Sequence, residues 1–461
     1  MDKYINMYSK FIMRLENVPN YWYPVRFVLH WLTIPIKLLL IGGLGIYQII
    51  YQTLFFSNRE IPAQTLEKKQ FFLRSLFAKL PVVRSINEEL YVSRVPYYEK
   101  PNGLNQNIDH QTAWHGIYTF IMSRIGKRNG FQDIAMSKHM KNGNLFRGYT
   151  FDDRVNANTV SGDMLVGASL AMLDVKGSVM EGLISQGGSG DVLRDKFDEL
   201  VINIIENDYA LLEGTCPEDG PERELYLEEL SRHKNTADMV KIKSARGMWQ
   251  PGLETVGAQA ITLLAAVRVA DKKCGSLVPK RAYKRLLYRY GYGLLSLFPT
   301  AFTQSKRGYF NDNNCITGLY VLAKLADSFA GRLFWTIPMV YIFLLSYRYR
   351  NGYFTGMLLD VAPYLKPLLK YHTQQCINYL YEANPLPYSR DRGFEVKQVK
   401  DLPVKFNDTN QGEFSYDHEQ KYMTNKIGED NIIQTDNCHS GLGPFAAMAM
   451  LEPNFVRETL K

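Results

Sequence analysis

Cysteine is scarce in this chain of 461 residues. Five are present, at positions 216, 274, 315, 376 and 438, an odd number at wide spacing with no CxxC. That argues against a disulfide framework and favours a reducing compartment. Familiar catalytic signatures are missing as well. There is no GxGxxG after a strand pattern, no GxxxxGKS/T, no HExxH and no GxSxG, so nucleotide-driven and serine-hydrolase chemistries fall in rank. The glycine-rich "SQGGSGD" (185–191) lies between helical patterns without a preceding strand and reads as a loop. Dense basic blocks are absent too. The net charge of +8 is spread over clusters such as "KRAYKRLLYRY" (280–290) and "SYRYR" (346–350). No nucleic-acid arm is expected, whereas a modest attraction to anionic lipid or anionic polymer is. Alternating apolar and polar runs are rare, with "GFEVKQVKDLPVKF" (393–406) the best, read as a short hairpin in a long loop.

What is present points to a mainly α protein. The hydrophobic fraction of 46% and the charged fraction of 22% are those of an ordinary folded domain with an ample core. Tyrosine is abundant, at 30 residues, which serves packing or lines a sugar or peptide groove. Helical spacing of apolar residues recurs in "DVLRDKFDELVINIIEND" (191–208), "AQAITLLAAVRVAD" (258–271) and "RAYKRLLYRYGYGLLSLF" (281–298).

The N-terminal region differs from the rest. From Leu38 to Phe56 no formal charge occurs across 19 residues, a length that matches a hydrocarbon core. Trp22, Tyr23 and Trp31 precede it like an interfacial aromatic belt. The expected division is a membrane-associating helical segment and linker over 1–70, then a helical domain over 71–461. Membrane contact is assigned to 27–56, as a single span or as a helix lying on the surface. A second apolar run, "LFWTIPMVYIFLLSY" (333–347), is short and contains Pro338, and reads as a core helix.

One pattern repeats. Polar residues run directly into a helix that begins with small residues: "DHQTAWHGIYTFIM" (109–122), "SGDMLVGASLAML" (161–173), "ETVGAQAITLLAAV" (254–267), "DNNCITGLYVLAKLA" (312–326) and "DNCHSGLGPFAAMAML" (436–451). "TGMLLDVAPYLKPLL" (355–369) is a weaker sixth copy. Small residues let helices approach closely. Asp, Asn, Ser and Glu at the starts suit helix N-termini through capping and the helix dipole. Each cluster alone is explained as a cap. As a set, they would converge on one mouth if the helices closed into a ring.

On these starts, in the styles D-x-x-x-A-W-x-G and S-G-D-M-L-x-G, and on the hairpin count, residues 100–461 resemble the six-hairpin (α/α)6 toroid. Many toroids of that superfamily are glycoside hydrolases or polysaccharide lyases, and others are epimerases and lanthionine-cyclase-like proteins. The resemblance implies a fold; function does not follow from it alone.

Three chemistries are compatible with the residues. Glycan cleavage needs one carboxylic acid to protonate the leaving oxygen and a second carboxylate to attack or to activate water. "FDDRVNANTVSGDML" (151–165) is the richest stretch, and Asp152, Asp153 and Asp163 are the leading candidates, with Asp109 and Glu254 as partners. Trp114 and Trp249 are candidate stacking platforms, and His110, Arg154, Asp436 and His439 candidate substrate contacts. "NQGEFSYDHEQKY" (410–422) could lie over the cleft. A lyase would use a Tyr or His base, with His110, His115, His418 and His439 available and Arg154 to neutralise a uronate. No cofactor is needed for either. The second chemistry is zinc. "NCHSGLG" (437–443) is similar to the Cys-His-Gly step of lanthionine-cyclase-like toroids, which implies Cys315, Cys438 and His439 as ligands, though Ser440 stands where that step has glycine. The third possibility is a membrane-attached module that binds a peptide or glycan without turnover.

Overall fold

The computed structural model describes residues 43–56, 65–78, 80, 82–84, 89–91, 111–146, 148–149, 155–156, 162–175, 189–206, 209, 253–296, 306–346, 351–382 and 442–461. These residues are 83% helical, which fixes the class as mainly α. The hairpin expected at 393–406 lies outside them.

In chain order, α1 (Gly43–Phe56) and α2 (Leu66–Ala78) precede a short ribbon of β1 (Val82–Arg84) and β2 (Glu89–Tyr91). Next come α3 (Gln111–Arg124) and α4 (Gly130–Ser137). Two more ribbons follow, β3 (Met140–Lys141) with β4 (Asn144–Leu145), and β5 (Gly148–Tyr149) with β6 (Val155–Asn156). Helices α5 (Gly162–Met172), α6 (Ser189–Glu206), α7 (Leu253–Val269), α8 (Leu277–Lys284), α9 (Tyr292–Ser296) and α10 (Lys306–Lys324) come next. The chain ends in α11 (Phe329–Ser346), α12 (Gly352–Val361), α13 (Lys366–Glu382), α14 (Leu442–Leu451) and α15 (Pro453–Thr459).

Four of the copies open a helix, α3, α5, α7 and α14, whereas the 312–326 and 355–369 copies begin inside α10 and α12, which start at Lys306 and Gly352. These six are also one another's neighbours. Helix α3 packs on α5, α5 on α7, α7 on α10, α10 on α12, α12 on α14, and α14 back on α3. The succession therefore returns to its start. Helix α10 also reaches α5, and Phe120 of α3 meets Tyr320 of α10 edge-on at 5.7 Å. Both rings are buried, so the space between the six is filled at that level.

Glycine makes the closest of these contacts possible. A Cβ on Gly116 of α3 would lie 2.1 Å from the Gly167 carbonyl oxygen of α5, and a Cβ on Gly167 would lie 2.6 Å from the Ala113 Cα. The two backbones touch, which no larger residue permits. On α12, a Cβ at Gly356 would fall 2.5 Å from the Met450 Cβ of α14.

The remaining helices pack outside this set. Helix α4 lies on α3 and α6, α11 on α10 and α12, α13 on α12 and α14, and α15 on α14 and α2. Asn351 caps α12, its side chain accepting from the Phe354 amide at 3.0 Å. Asn129 and Gln132 form a reciprocal capping box on α4.

Some local readings are corrected. The helical period over 281–298 is interrupted. Helix α8 passes through a π turn (Arg285–Arg289), and Gly291, at φ 71°, stops it before α9. The β3–β4 ribbon turns on Asn142 and Gly143, at φ 53° and 72°, the Asn-Gly pairing that closes a tight hairpin. Pro338 does not interrupt α11. The helix continues through it because Trp335, Met339, Ile342 and Phe343 are all buried and hold both halves in place. Among the described residues, no helix is long and apolar enough to cross a membrane.

Candidate functional site

The two ends of the six central helices differ in chemistry. At the C-terminal ends, ion pairs and hydrogen bonds tie neighbours together. Arg124 at the end of α3 pairs with Asp360 near the end of α12 at 2.7 Å. Lys324, the last residue of α10, reaches the same carboxylate at 3.2 Å, and Tyr320 donates to it at 2.8 Å. Arg128, just past α3, donates to the Ala171 carbonyl near the end of α5 at 2.6 Å and pairs with Asp133. Arg268, near the end of α7, donates to the Leu325 carbonyl and to Asp327, both just beyond α10, at 3.0 and 2.5 Å. Arg457, after α14, donates to the Arg124 carbonyl at 3.3 Å. All six C-termini are therefore held at one end, and the six helices run in the same direction.

The charges at this end are mutually adjusted. Burial alone would raise the Asp360 carboxyl, but Arg124 and Lys324 hold it below the usual carboxylate range. Burial, then Asp360, pushes the Tyr320 phenol well above its ordinary value. Burial lowers Lys273, with Asp174 opposing. The cations also suit the negative ends of the helix dipoles.

With the C-termini gathered at one end, the N-termini of the same helices lie at the other. Asp109 and His110 directly precede α3, but lie outside the described residues, as do Asp152, Asp153, Arg154, Trp249, Asp436, Cys438 and His439. The backbones of Asp163 and Glu254 occupy the first turns of α5 and α7, while their side chains lie outside the description. Trp114 faces the core at 5% exposure and presents no open ring to a sugar. The reason is its position one turn into α3, among residues buried from Gln111 to Met122. Cys315 is buried on α10, and α12 packs between α10 and α14. Among the described residues no group of three His, Cys, Asp or Glu is placed to hold a metal.

Two buried polar clusters were not legible in the sequence. In the first, Glu89 of β2 accepts from the Tyr118 hydroxyl and from Gln132 Nε2, the latter at 3.0 Å. Beside it, His115 Nε2 meets the Gln132 carbonyl oxygen at 3.2 Å, and Thr112 Oγ1 lies 2.8 Å from His139 Nδ1. Burial lowers His115 to about 4 and His139 well below its ordinary value, so both imidazoles are neutral near pH 7. This cluster fastens the β1–β2 ribbon to α3 and α4. In the second, Cys376 Sγ is 3.4 Å from His372 Nε2, with Thr355 Oγ1 at 3.2 Å from the same nitrogen. Both side chains are buried, so the pair joins α13 to α12 rather than meeting a substrate.

A groove of about 870 Å³ opens between the α8–α9 segment and the α10–α11 turn. Its walls include Lys280, Lys284, Tyr283, Tyr288, Phe334 and Trp335. Arg268 stacks on the Tyr283 ring at 4.7 Å. Cations beside aromatic faces suit an anionic group with an apolar neighbour.

No family model matches the chain, and no curated protein or solved structure matches it either.

Proposed function

We propose that α3, α5, α7, α10, α12 and α14 are the inner ring of an (α/α)6 toroid, and that a carbohydrate polymer is cleaved at the mouth formed by their N-termini. One observation carries this reading. The hydrogen bonds and ion pairs among Arg124, Arg128, Arg268, Lys324 and Asp360 hold the C-terminal ends together, so the segments with Asp109, Asp152, Asp153 and Asp436, which enter α3, α5 and α14, would arrive at the opposite end. The Phe120–Tyr320 contact would then form the floor of the mouth.

The chemistry asked of this mouth is that of two carboxyl groups. Asp163 and Glu254 stand in first helical turns, where the positive end of the helix dipole favours the ionised form. They suit the base or nucleophile. Asp152 and Asp153, in the preceding segment, suit the acid that protonates the leaving oxygen, with Asp109 as a further partner. Attachment to a membrane through 27–56 completes the reading.

Incubation of the whole chain with a panel of oligosaccharides, read by mass spectrometry of the products, tests it. Cleavage of at least one glycan is expected, with Asp152→Asn, Asp153→Asn or Asp163→Asn losing about 10²-fold or more. Binding of a glycan without turnover by the unsubstituted chain would replace the enzyme by a binding module. Neither binding nor cleavage would overturn the reading.

A further inference from the structure

The end of the molecule opposite the proposed mouth has an unusual surface. Three segments leave the gathered C-termini there, after α7, α10 and α12. Each opens with large apolar side chains in solvent: Leu277 on α8, Phe329 on α11, and Tyr364 and Leu368 around the start of α13, all more than half exposed. The same segments are basic. Over 271–285, 324–332 and 360–370, which flank these three exits, the sequence holds ten lysines and arginines against three acids. Two of the three acids, Asp327 and Asp360, are consumed in the ion pairs described above. Lys280, Arg281, Lys284, Lys366 and Lys370 are exposed and have no acidic partner among the described residues.

Helix α1 continues this surface. Its Ile49 and Thr53 face the protein, Thr53 Oγ1 lying 3.2 Å from the Leu368 carbonyl oxygen, and the helix packs on α13 and α11. The opposite face carries two rows at helical spacing, Ile46, Ile50 and Leu54 beside Tyr47, Tyr51 and Phe55, all in solvent. A chain that left such a face in water would aggregate. Its occupant must accept apolar and aromatic side chains and also match a basic rim.

We propose that this end of the molecule docks in the plane of an anionic lipid bilayer, with α1 lying in the interface instead of crossing it. Aromatic and aliphatic side chains would enter the headgroup–acyl boundary while the lysines and arginines meet lipid phosphates. The groove walled by Lys280, Lys284 and Tyr288 opens on the same surface and would seat a headgroup. Docked in this way, the N-terminal ends of the six helices face away from the membrane. The inference rests on the membrane attachment given above and not on any chemistry at the mouth.

Co-sedimentation of the whole chain with vesicles tests it. One set is phosphatidylcholine alone, and the other is about three parts phosphatidylcholine to one of phosphatidylglycerol. Tighter binding to the anionic set by about tenfold or more is expected. A triple variant at the turns (Leu277→Glu, Phe329→Glu, Leu368→Glu) and one at the rim (Lys280→Glu, Lys366→Glu, Lys370→Glu) should each lose at least about tenfold while melting as the parent does. Asp152→Asn should bind vesicles normally. If both triple variants bind like the parent, the docking face is wrong. Loss confined to Tyr51→Glu with Phe55→Glu would then leave attachment to the N-terminal segment alone. If the parent binds neither vesicle, docking and attachment fail together, whatever the glycan panel shows.

Discussion

Gly116 and Gly167 meet backbone to backbone, and a methyl group on Gly116 would sit 2.1 Å from the carbonyl oxygen of Gly167. Neither helix can yield to it without moving as a body, because Ala113, Ile117 and Phe120 on α3 and Ala168 and Ala171 on α5 are all buried.

Gly116→Ala should therefore destabilise the fold by about 3 kcal/mol or more, at or beyond the upper end for overpacking. Gly43→Ala, with nothing within 4 Å of the added carbon, should stay within about 1 kcal/mol of the parent. Urea unfolding of the two variants measures both. A neutral Gly116→Ala would contradict the contact between α3 and α5.

Asp360 gives the fold an acid-sensitive joint. Its carboxyl is held below the usual range in the folded state, so its contribution is complete above about pH 4, the unfolded value. It is lost as the pH falls through the folded value. Asp360→Asn should cost about 2–3 kcal/mol at pH 7 by leaving Arg124 and Lys324 underpaired. The same variant should flatten the loss of stability below about pH 4. Urea midpoints taken from neutral to acid pH read both effects.

His115 acts in a different window. Its folded value is lowered to about 4 from 6.5. The neutral, buried ring therefore stabilises the fold fully above pH 6.5, and that contribution falls as the pH drops toward the folded value. The shift corresponds to about 3 kcal/mol across that window. His115→Gln should reduce this slope, the remainder belonging to His139, which burial also lowers, while leaving the steeper loss at lower pH in place. Proton resonances of the His115 ring that titrate near 6.5 in the native protein would contradict the burial.

The three thiols among the described residues should be protected in the folded chain. Cys315 and Cys376 are buried. Burial, then Asp198, pushes Cys274 up to about 12. At neutral pH, maleimide should leave the first two unlabelled and react with Cys274 about a hundredfold more slowly than with a free peptide thiol. Peptide mass spectrometry after a timed reaction separates the three sites. Rapid labelling of Cys376 would place the α12–α13 joint in solvent.

The parts of this fold that were legible in the sequence are those set by local chemistry. Gly116, Gly167, Gly318 and Gly356 stand in apolar helical runs where only close packing explains a small residue, and the starts of α3, α5, α7 and α14 could be read from the polar-to-small pattern, whereas those of α10 and α12 could not. Asn142–Gly143 carried a hairpin signal that helical periodicity elsewhere obscured, and Gly291 broke a run whose apolar spacing looked continuous. Tertiary contacts were not legible. Trp114 has the composition of a sugar platform but lies within a fully buried turn. Glu89, Gln132 and His115 come together from three elements, and no spacing in the chain brings them near. The order Arg124–Asp360–Lys324 likewise joins helices far apart in sequence. The acidic segments before the helices stand out by residue type alone, and of their members Asp163 and Glu254 occupy first helical turns.

The measurement that tests the account most directly is the set of distances between spin labels at the helix starts. Labels would be placed on Asp109→Cys, Asp163→Cys, Glu254→Cys and Asp436→Cys in pairs, with Cys216, Cys274 and Cys438 replaced by serine. Neighbouring helix axes lie about 10 Å apart, so opposite members of a ring of six lie about 20 Å apart. Every pair should then fall within about 35 Å once label linkers are included. A pair centred beyond about 45 Å would mean that the acidic segments do not share a mouth.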